Sequence, residues 1–215
     1  MKKIFFALMI MAVSVTGLYA IGPTTLDSDF IVTIDNSKFT DTKSDKVMST
    51  ARLTGLGPSV GITTMLNNNF GLYGSIGTSF AIKNEIGDKD GNNMTEIPLK
   101  GDYDKTLIIL TNFFMGPCIK PLNNSNGYLA INPGIHVKVQ YQKNTHTTPL
   151  IEKVTTTENT KTMVGAGASI AAGFKVNRKF DIHAKCDIYY DFYSSNNEGI
   201  KGFIITPAIG LGTTF

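Results

Sequence analysis

Apolar residues alternate with small or polar ones along most of the chain, and the alternation is clearest in Gly202–Phe215. One parity of this segment is mostly apolar, from Phe203 to Phe215, and the other is mainly Gly, Ala and Thr. Successive side chains of a β-strand point to opposite faces, so this period of two predicts a strand with one apolar face. The segment ends on an aromatic residue, whereas chain ends are usually polar and frayed. The pattern therefore predicts that this end belongs to a sheet.

The same alternation recurs in earlier segments, and the sequence predicts eight strands in all. They are residues 28–35, 50–66, 70–83, 105–120, 127–142, 162–176, 179–193 and 202–215. The first is the shortest, and the fourth alternates poorly because Ile108, Leu110 and Phe114 fall opposite its chosen apolar face. Short connections follow strands two, four and six, and long ones follow strands one, three and five. This asymmetry is typical of up-and-down membrane barrels and has no cause in a Greek-key sandwich.

The face opposite the apolar one is rich in Gly, Ser and Ala, which suits the crowded interior of a narrow barrel. Its charged residues are concentrated in the fifth and seventh strands. We expect a luminal polar network of His136, Lys138, Asp181, His183, Lys185, Asp187 and Asp191. Buried charges need partners, so the two lysines are expected to contact some of these aspartates. An eight-stranded barrel is just filled by side chains, which favours a plug over an ion- or proton-conducting path.

The apolar faces of strands five, six and seven carry no charged residue along their alternating lengths. A Lys or Arg at the bilayer midplane costs about 2–4 kcal/mol on the lipid face of a barrel, so these faces suit lipid. Aromatic residues lie towards both ends of the faces, as in interfacial girdles. The predicted girdles are Phe174, Phe180 and Phe215 near the short turns, and Tyr141, Phe192 and Phe203 near the long loops. An ordinary aromatic core is the alternative.

Residues 1–20 have the features of a cleaved signal peptide, which leaves residues 21–215 as one domain. Lys2 and Lys3 precede an apolar run from Ile4 to Val15, and Ala20 is a small residue suited to cleavage. The run is shorter than the roughly 20 residues that a spanning helix needs. The formal net charge is +3, and Lys2 and Lys3 supply part of it, so nucleic-acid binding is not indicated.

The remaining candidate chemistry is sparse. Cys118 and Cys186 fall on predicted strands that are not neighbours, so we expect free thiols, with Cys118 inside the barrel and Cys186 outside. The three histidines include no close-spaced pair of the kind found in zinc sites. No spacing of Asp, His or Ser identifies a catalytic set. We expect no catalytic residue, no metal and no cofactor.

An export signal, alternating strands and a terminal Phe215 together resemble the small bacterial outer-membrane β-barrel proteins of the opacity, OmpA-transmembrane and OmpX-like types. The resemblance implies an all-β fold, an eight-stranded antiparallel up-and-down transmembrane barrel. It also implies contact with outer-membrane lipid, extracellular long loops, and recognition of Phe215 by the barrel assembly machinery.

The expected function is that of a structural anchor or of a surface interaction and adhesion protein. Its partners would be host or envelope components, bound through the loops at 84–104 and 143–161. The second loop is rich in β-branched residues, which favours a hairpin that continues strands five and six and offers an edge to another strand. A narrow channel for ions or small solutes is the alternative, followed by a secreted soluble β-sandwich or lipocalin-like binder.

Overall fold

The computed structural model describes residues 22–40, 47–148, 153–194 and 199–215, and the predicted signal peptide lies outside them. The described residues form nine strands: β1 (Thr24–Thr40), β2 (Val47–Met65), β3 (Phe70–Gly87), β4 (Thr95–Glu96), β5 (Asp104–Asn123), β6 (Gly127–Thr148), β7 (Lys153–Lys175), β8 (Phe180–Ser194) and β9 (Gly199–Thr214). In this part of the chain there is no helix with the length and apolar character needed to cross a membrane.

The eight long strands close into a barrel in which every pairing is antiparallel. Each pairs with its neighbours along the chain, and the two-residue β4 adds only to the end of β3. The ring is closed between β1 and β9, where Thr25 lies opposite Thr214 and Thr40 lies opposite Gly199. The eight-stranded antiparallel up-and-down barrel predicted from the sequence is therefore confirmed, and the soluble β-sandwich is wrong.

The prediction for the first strand was wrong in length. β1 has 17 residues and is longer than β8, which has 15. Its polar residues do not end the strand, because Asp27, Asp29 and Asp35 point into the barrel, where they are buried. Polar residues at these positions therefore indicate the interior of the barrel, and they do not indicate a loop.

Side chains alternate between a polar or small interior and an apolar exterior. The outward residues include Phe30, Ile135, Ile182 and Ile209, the last with 70% of its surface exposed. Monomeric soluble proteins rarely expose so continuous an apolar surface, and a barrel in lipid requires one. The arrangement is the reverse of a lipocalin-like binder, whose exterior meets water.

The short turns share one hydrogen-bonding pattern. In each, an asparagine side chain accepts hydrogen bonds from the backbone N–H groups two and three residues later in the chain. Asn67 Oδ1 accepts from residues 69 and 70, Asn124 Oδ1 from 126 and 127, and Asn177 Oδ1 from 179 and 180, all at 2.8–3.0 Å. Asparagine favours such turns because its side chain can mimic a backbone turn. These local bonds fix the register of three hairpins.

The fourth predicted strand alternates poorly because the barrel has an apolar layer at its long-loop end. Ile108 and Leu110 are buried inside, where they pack with Leu53 of β2. Leu99, from the connection between β4 and β5, packs against the same cluster, and its carbonyl accepts a hydrogen bond from Thr106 N at 2.8 Å. The connection therefore folds back over this end of the barrel.

Candidate functional site

All seven charged residues assigned to the luminal network point into the barrel, and each has 6% or less of its surface exposed. Small residues on the facing strands make room for them. A Cβ added at Gly210 would lie within 2.8 Å of His183 Nε2, and one added at Gly212 within 2.7 Å of Asp181 Cγ. Six of these side chains, all but Asp187, belong to two clusters, one towards each end of the barrel.

The cluster nearer the long loops is centred on Lys138. Its Nζ lies 2.7 Å from Asp35 Oδ2 and 2.7 Å from Asp191 Oδ2, so the expected contact with a β8 aspartate is present. His136 Nδ1 lies 3.1 Å from Asp191 Oδ1, and His136 Nε2 lies 3.1 Å from Asn112 Oδ1. Four strands thereby contribute to one buried polar cluster.

The cluster nearer the short turns is centred on Asp29. Lys185 Nζ forms an ion pair with Asp29 and donates a second hydrogen bond to Tyr73 Oη at 3.1 Å. His183 bridges two carboxylates, with Nε2 2.7 Å from Asp29 Oδ1 and Nδ1 3.0 Å from Asp181 Oδ1. The main partner of Lys185 is thus on β1, and not among the β8 aspartates considered from the sequence.

Sequence reasoning missed the β1 carboxylates of Asp27, Asp29 and Asp35. The signal was present, because these residues share a parity while Phe30 and Ile34 share the other. The first predicted strand was too short for its two parities to be told apart. Pairing of β1 with β9 then places all three carboxylates inside the barrel.

A column of rings connects the two clusters across the lumen. The ring centroids of Tyr73 and Phe114 are 5.8 Å apart, and those of Phe114 and Tyr189 are 5.2 Å apart. Tyr189 stacks on His136 at 4.2 Å. Cavities of about 20 and 10 Å³ lie along this region, and such a volume holds roughly one water molecule. Side chains therefore fill most of the lumen along the two clusters and the ring column.

The two luminal histidines resemble acid–base pairs but are not accessible. His136 and His183 each contact an aspartate, yet at most 3% of either residue is exposed. A general base must reach its substrate directly or through one water. No group of three or more His, Cys, Asp or Glu among the described residues could hold a metal ion. Both clusters join different strands of the barrel from the inside.

The residues assigned to the girdles all lie on the outer surface. Phe174, Phe180, Phe192, Phe203 and Phe215 are exposed, and Tyr141 is half-buried. Phe215 is also tied to β1, because its N–H donates to the Thr24 carbonyl at 2.9 Å. The contact of these rings with membrane interfaces and the recognition of Phe215 during assembly stay predictions.

The cysteines are free, with Cys118 buried and Cys186 half-buried on the outward-facing parity of β8. They lie on β5 and β8, which are not neighbours in the sheet. The prediction of two free thiols is confirmed.

β6 and β7 continue past the ring as a hairpin, as the β-branched content of the loop at 143–161 predicted. They have 22 and 23 residues, about twice what a tilted transmembrane strand needs. Their pairing runs out to Thr148 opposite Lys153. β5 pairs with β6 as far as Asp104 opposite His146, which gives the extension three strands.

One edge of this extension is covered, and the other has no partner strand among the residues that the structure describes. On the β5 side, Thr106 N donates to the Leu99 carbonyl at 2.8 Å. On the other side, β7 pairs with β8 only from Met163 onwards. Within the described ranges, no strand pairs with the outer edge of residues 154–160.

The direction of the backbone groups at this open edge follows from two hydrogen bonds. Thr147 N donates to the Tyr103 carbonyl, away from β7, and Lys175 N donates to the Asn126 carbonyl, towards β6. Backbone groups of an antiparallel strand alternate in direction, and the β6–β7 register is unbroken. The residues whose N–H and C=O groups point outwards are therefore Val154, Thr156, Glu158 and Thr160.

No protein-family model matches the chain, and no curated protein sequence matches it. Solved structures match over most of its length. Ail, the attachment invasion locus protein of Yersinia pestis, is 14% identical with a TM-score of 0.54, covering 90% of this chain and 99% of that chain. The outer membrane protein OprG from Pseudomonas aeruginosa is 11% identical with a TM-score of 0.52, covering 90% and 96%. The outer membrane protease OmpT from Escherichia coli is 9% identical with a TM-score of 0.47, covering 91% and 97%. The likeness to Ail and OprG establishes the fold.

Proposed function

We propose that this chain, which has the fold of the small bacterial outer-membrane β-barrels, is an outer-membrane anchor that presents an open β-strand edge to a partner protein. The observation that carries the proposal is the extension of β5, β6 and β7, whose outer edge at residues 154–160 is unpaired among the described residues. The long-loop end would face the outside of the cell.

The outer surface of the barrel supports the membrane part of the proposal. Its exposed side chains include Phe30, Ile135, Ile182 and Ile209. Contact of so much apolar surface with water is unfavourable, and contact with lipid is favourable. A residue on this face contacts the acyl chains directly. The barrel is then a fixed support for the extension.

The filled lumen supports a role in binding over one in transport. The cavities of about 20 and 10 Å³ along the two ion-pair clusters and the ring column each hold roughly one water molecule. A solute that crossed the barrel would have to displace the buried Lys138 or Lys185 from its aspartate partners. Separating a buried ion pair is strongly unfavourable.

The open edge has the chemistry to bind an extended polypeptide. Its four outward N–H and C=O pairs match the groups of an incoming strand, and main-chain hydrogen bonds supply the affinity in strand addition. Residues 153–160 (KVTTTENT) contain neither Pro nor Gly and are rich in β-branched residues, which favour strands. Natural proteins usually protect such edges with bulges, prolines or inward charges. An edge left open is therefore a candidate binding surface.

The comparison with Ail is consistent with this direction. The name of Ail refers to attachment and invasion. We propose that the present chain also attaches cells to a surface, through the β7 edge.

The test displays the full chain on a non-adherent bacterium and counts the cells retained on an epithelial monolayer. Thr156→Pro removes one outward N–H group and leaves the β6–β7 ladder intact, since proline is tolerated where the N–H faces away from the sheet. Thr156→Ala is the matched control, because it shortens the same side chain and keeps the N–H. We expect wild type and Thr156→Ala to attach equally and Thr156→Pro to attach severalfold less.

Surface amounts of the three proteins are equalised by labelling of exposed lysines. Attachment of Thr156→Pro at the wild-type level would show that the edge is not used. Equal loss in Thr156→Pro and Thr156→Ala would assign the effect to the threonine side chain and contradict strand addition.

A further inference from the structure

A cavity of about 230 Å³ lies at the long-loop end of the barrel, beyond the Lys138 cluster. It is more than ten times the volume of the two cavities deeper in the lumen. We infer that it is a binding site for a small uncharged molecule with a mainly apolar body and one hydrogen-bonding group.

The walls of the cavity are apolar where the rest of the lumen is small or charged. Leu53, Ile108, Met163 and Ile200 line it and are buried on the inward-facing sides of four strands. Leu99 lines it from the connection that folds back over the barrel end. With the rest of the lining, the cavity is built from seven strands and this connection.

Five of the polar residues that line the cavity are neutral, and two are charged: Ser37, Asn84, Thr106, Gln140 and Gln142, with Asp35 and Lys161. Gln140 and Gln142 contribute carboxamides, which can donate to or accept from a ligand. Asp35 also lines the cavity, but its carboxylate is held by Lys138 Nζ at 2.7 Å and Ser37 Oγ at 2.9 Å. Lys161 lines the cavity as well, and its Nζ lies 5.6 Å from the centroid of the Phe39 ring. A charged ligand would lose its hydration and would have to compete with the existing partners of Asp35 or Lys161. The lining favours a neutral ligand with one polar group.

The volume sets the size of the ligand. An apolar cavity of about 150 Å³ lined by Leu, Ile and Phe binds benzene in a well-studied protein. The present cavity of about 230 Å³ has room for one ring with a substituent. A suitable probe is 4-methylphenol, with toluene as its counterpart lacking the hydroxyl group and benzoate as a charged counterpart.

The site is distinct from the proposed attachment surface. The edge groups belong to Val154, Thr156, Glu158 and Thr160, and none of these four residues lines the cavity. Each proposal can therefore fail without the other.

The experiment titrates each probe into the methyl-labelled full chain in lipid nanodiscs and follows methyl resonances by NMR. We expect 4-methylphenol to shift the methyl signals of Leu53, Ile108 and Met163 in a saturable manner. The outward methyls of Ile135 and Ile182 report partitioning into lipid and should shift linearly or not at all. Toluene should bind more weakly, and benzoate should give no saturable shift.

Ala51→Phe fills the cavity from β2, where Ala51 lines it, and should weaken binding of 4-methylphenol at least about tenfold. Leu107→Phe is the matched control, because Leu107 is exposed on the outer surface next to Ile108. Ala51→Leu adds less volume and serves if Ala51→Phe does not fold. The absence of saturable shifts would overturn the site, as would unchanged binding in a folded Ala51 variant. Stronger binding of benzoate would overturn the neutral ligand class.

Discussion

At the scale of single residues, the interior of this barrel depends on charges that have no access to water. Lys138 is fully buried, and its two carboxylate partners come from β1 and β8, the strands on either side of β9. Hydrogen-bonded ion pairs of this kind need not stabilise a fold more than apolar packing does. Removal of one partner, however, leaves an uncompensated charge inside the protein.

We predict that Lys138→Met destabilises the barrel by about 3–5 kcal/mol, because Asp35 and Asp191 then share no cation. Urea unfolding in lipid vesicles would measure the loss. Addition of Asp35→Asn should recover part of it, since one buried charge is removed. Lys105→Met, at an exposed position, is the control and should change stability by less than about 0.5 kcal/mol. An equal loss in the control and in Lys138→Met would contradict the role of the cluster.

Glycine at position 210 is predicted to be needed for space. A Cβ there would overlap the Asp29 carboxylate and lie 2.8 Å from His183 Nε2, whereas one at Gly74 would meet its nearest atom at 3.7 Å. Gly210→Ala should therefore cost about 1–3 kcal/mol through overpacking, and Gly74→Ala should be nearly neutral. The same unfolding assay compares the two variants. A wild-type free energy of unfolding for Gly210→Ala would contradict the prediction, because Asp29 and His183 would then have moved to make room.

Parity alone assigned the inward residues of β6 and β8, including Lys138 and Lys185, because those strands alternate without interruption. It could not name the partners of these lysines. Asp29 and Asp35 come from the other end of the chain, and closure of the ring brings β1 to β9 and thereby to β8. The apolar layer at Ile108 was visible only as a defect in the alternation. Its cause is a tertiary one, the connection that covers the barrel end.

At the scale of elements, β7 has two parts with different surroundings. Its second part is paired on both sides within the barrel. Among the described residues, its first part, up to Thr160, pairs only with β6. The direction of each backbone group in the first part follows from the register. Adjacent residues should therefore respond differently to the same substitution.

We predict that Thr157→Pro breaks the β6–β7 ladder and that Thr156→Pro does not. Thr157 lies opposite Asn144, and its N–H points to β6 by the alternation of the strand. Hydrogen exchange of the Asn144 amide measures the effect, and it should accelerate only in Thr157→Pro. Equal acceleration in both variants would refute the assigned direction of the edge groups.

The end of β9 is a second element with two separable roles. Phe215 forms two backbone hydrogen bonds with Thr24, while its ring is exposed on the outer surface. We predict that deletion of Phe215 lowers the yield of assembled barrel more than it lowers the stability of barrel already folded. Surface labelling and vesicle unfolding measure the two quantities. Phe215→Tyr keeps an aromatic ring and should assemble normally, and normal display of the deletion would contradict the prediction.

At the scale of the whole molecule, three parts of the protein have different roles: the closed ring, the luminal clusters and the three-stranded extension. In the proposed function, the ring contacts lipid, the luminal clusters hold the strands together, and the outer edge of the extension binds a partner. The cavity of about 230 Å³ ends at the Lys138 cluster. The ion pairs of Lys138 separate it from the two smaller cavities nearer the short turns.

We therefore predict that the purified protein gives no discrete openings in planar bilayers. Two layers of paired charges and the ring column of Tyr73, Phe114 and Tyr189 occupy the path. Lys138→Ala combined with Phe114→Ala should enlarge the path and raise ion leakage, provided that the variant still folds. Leu107→Ala, on the outer surface, is the control and should stay closed. Discrete openings of the wild type would contradict a plugged lumen, because steady conduction requires a continuous water-filled path that these buried pairs interrupt.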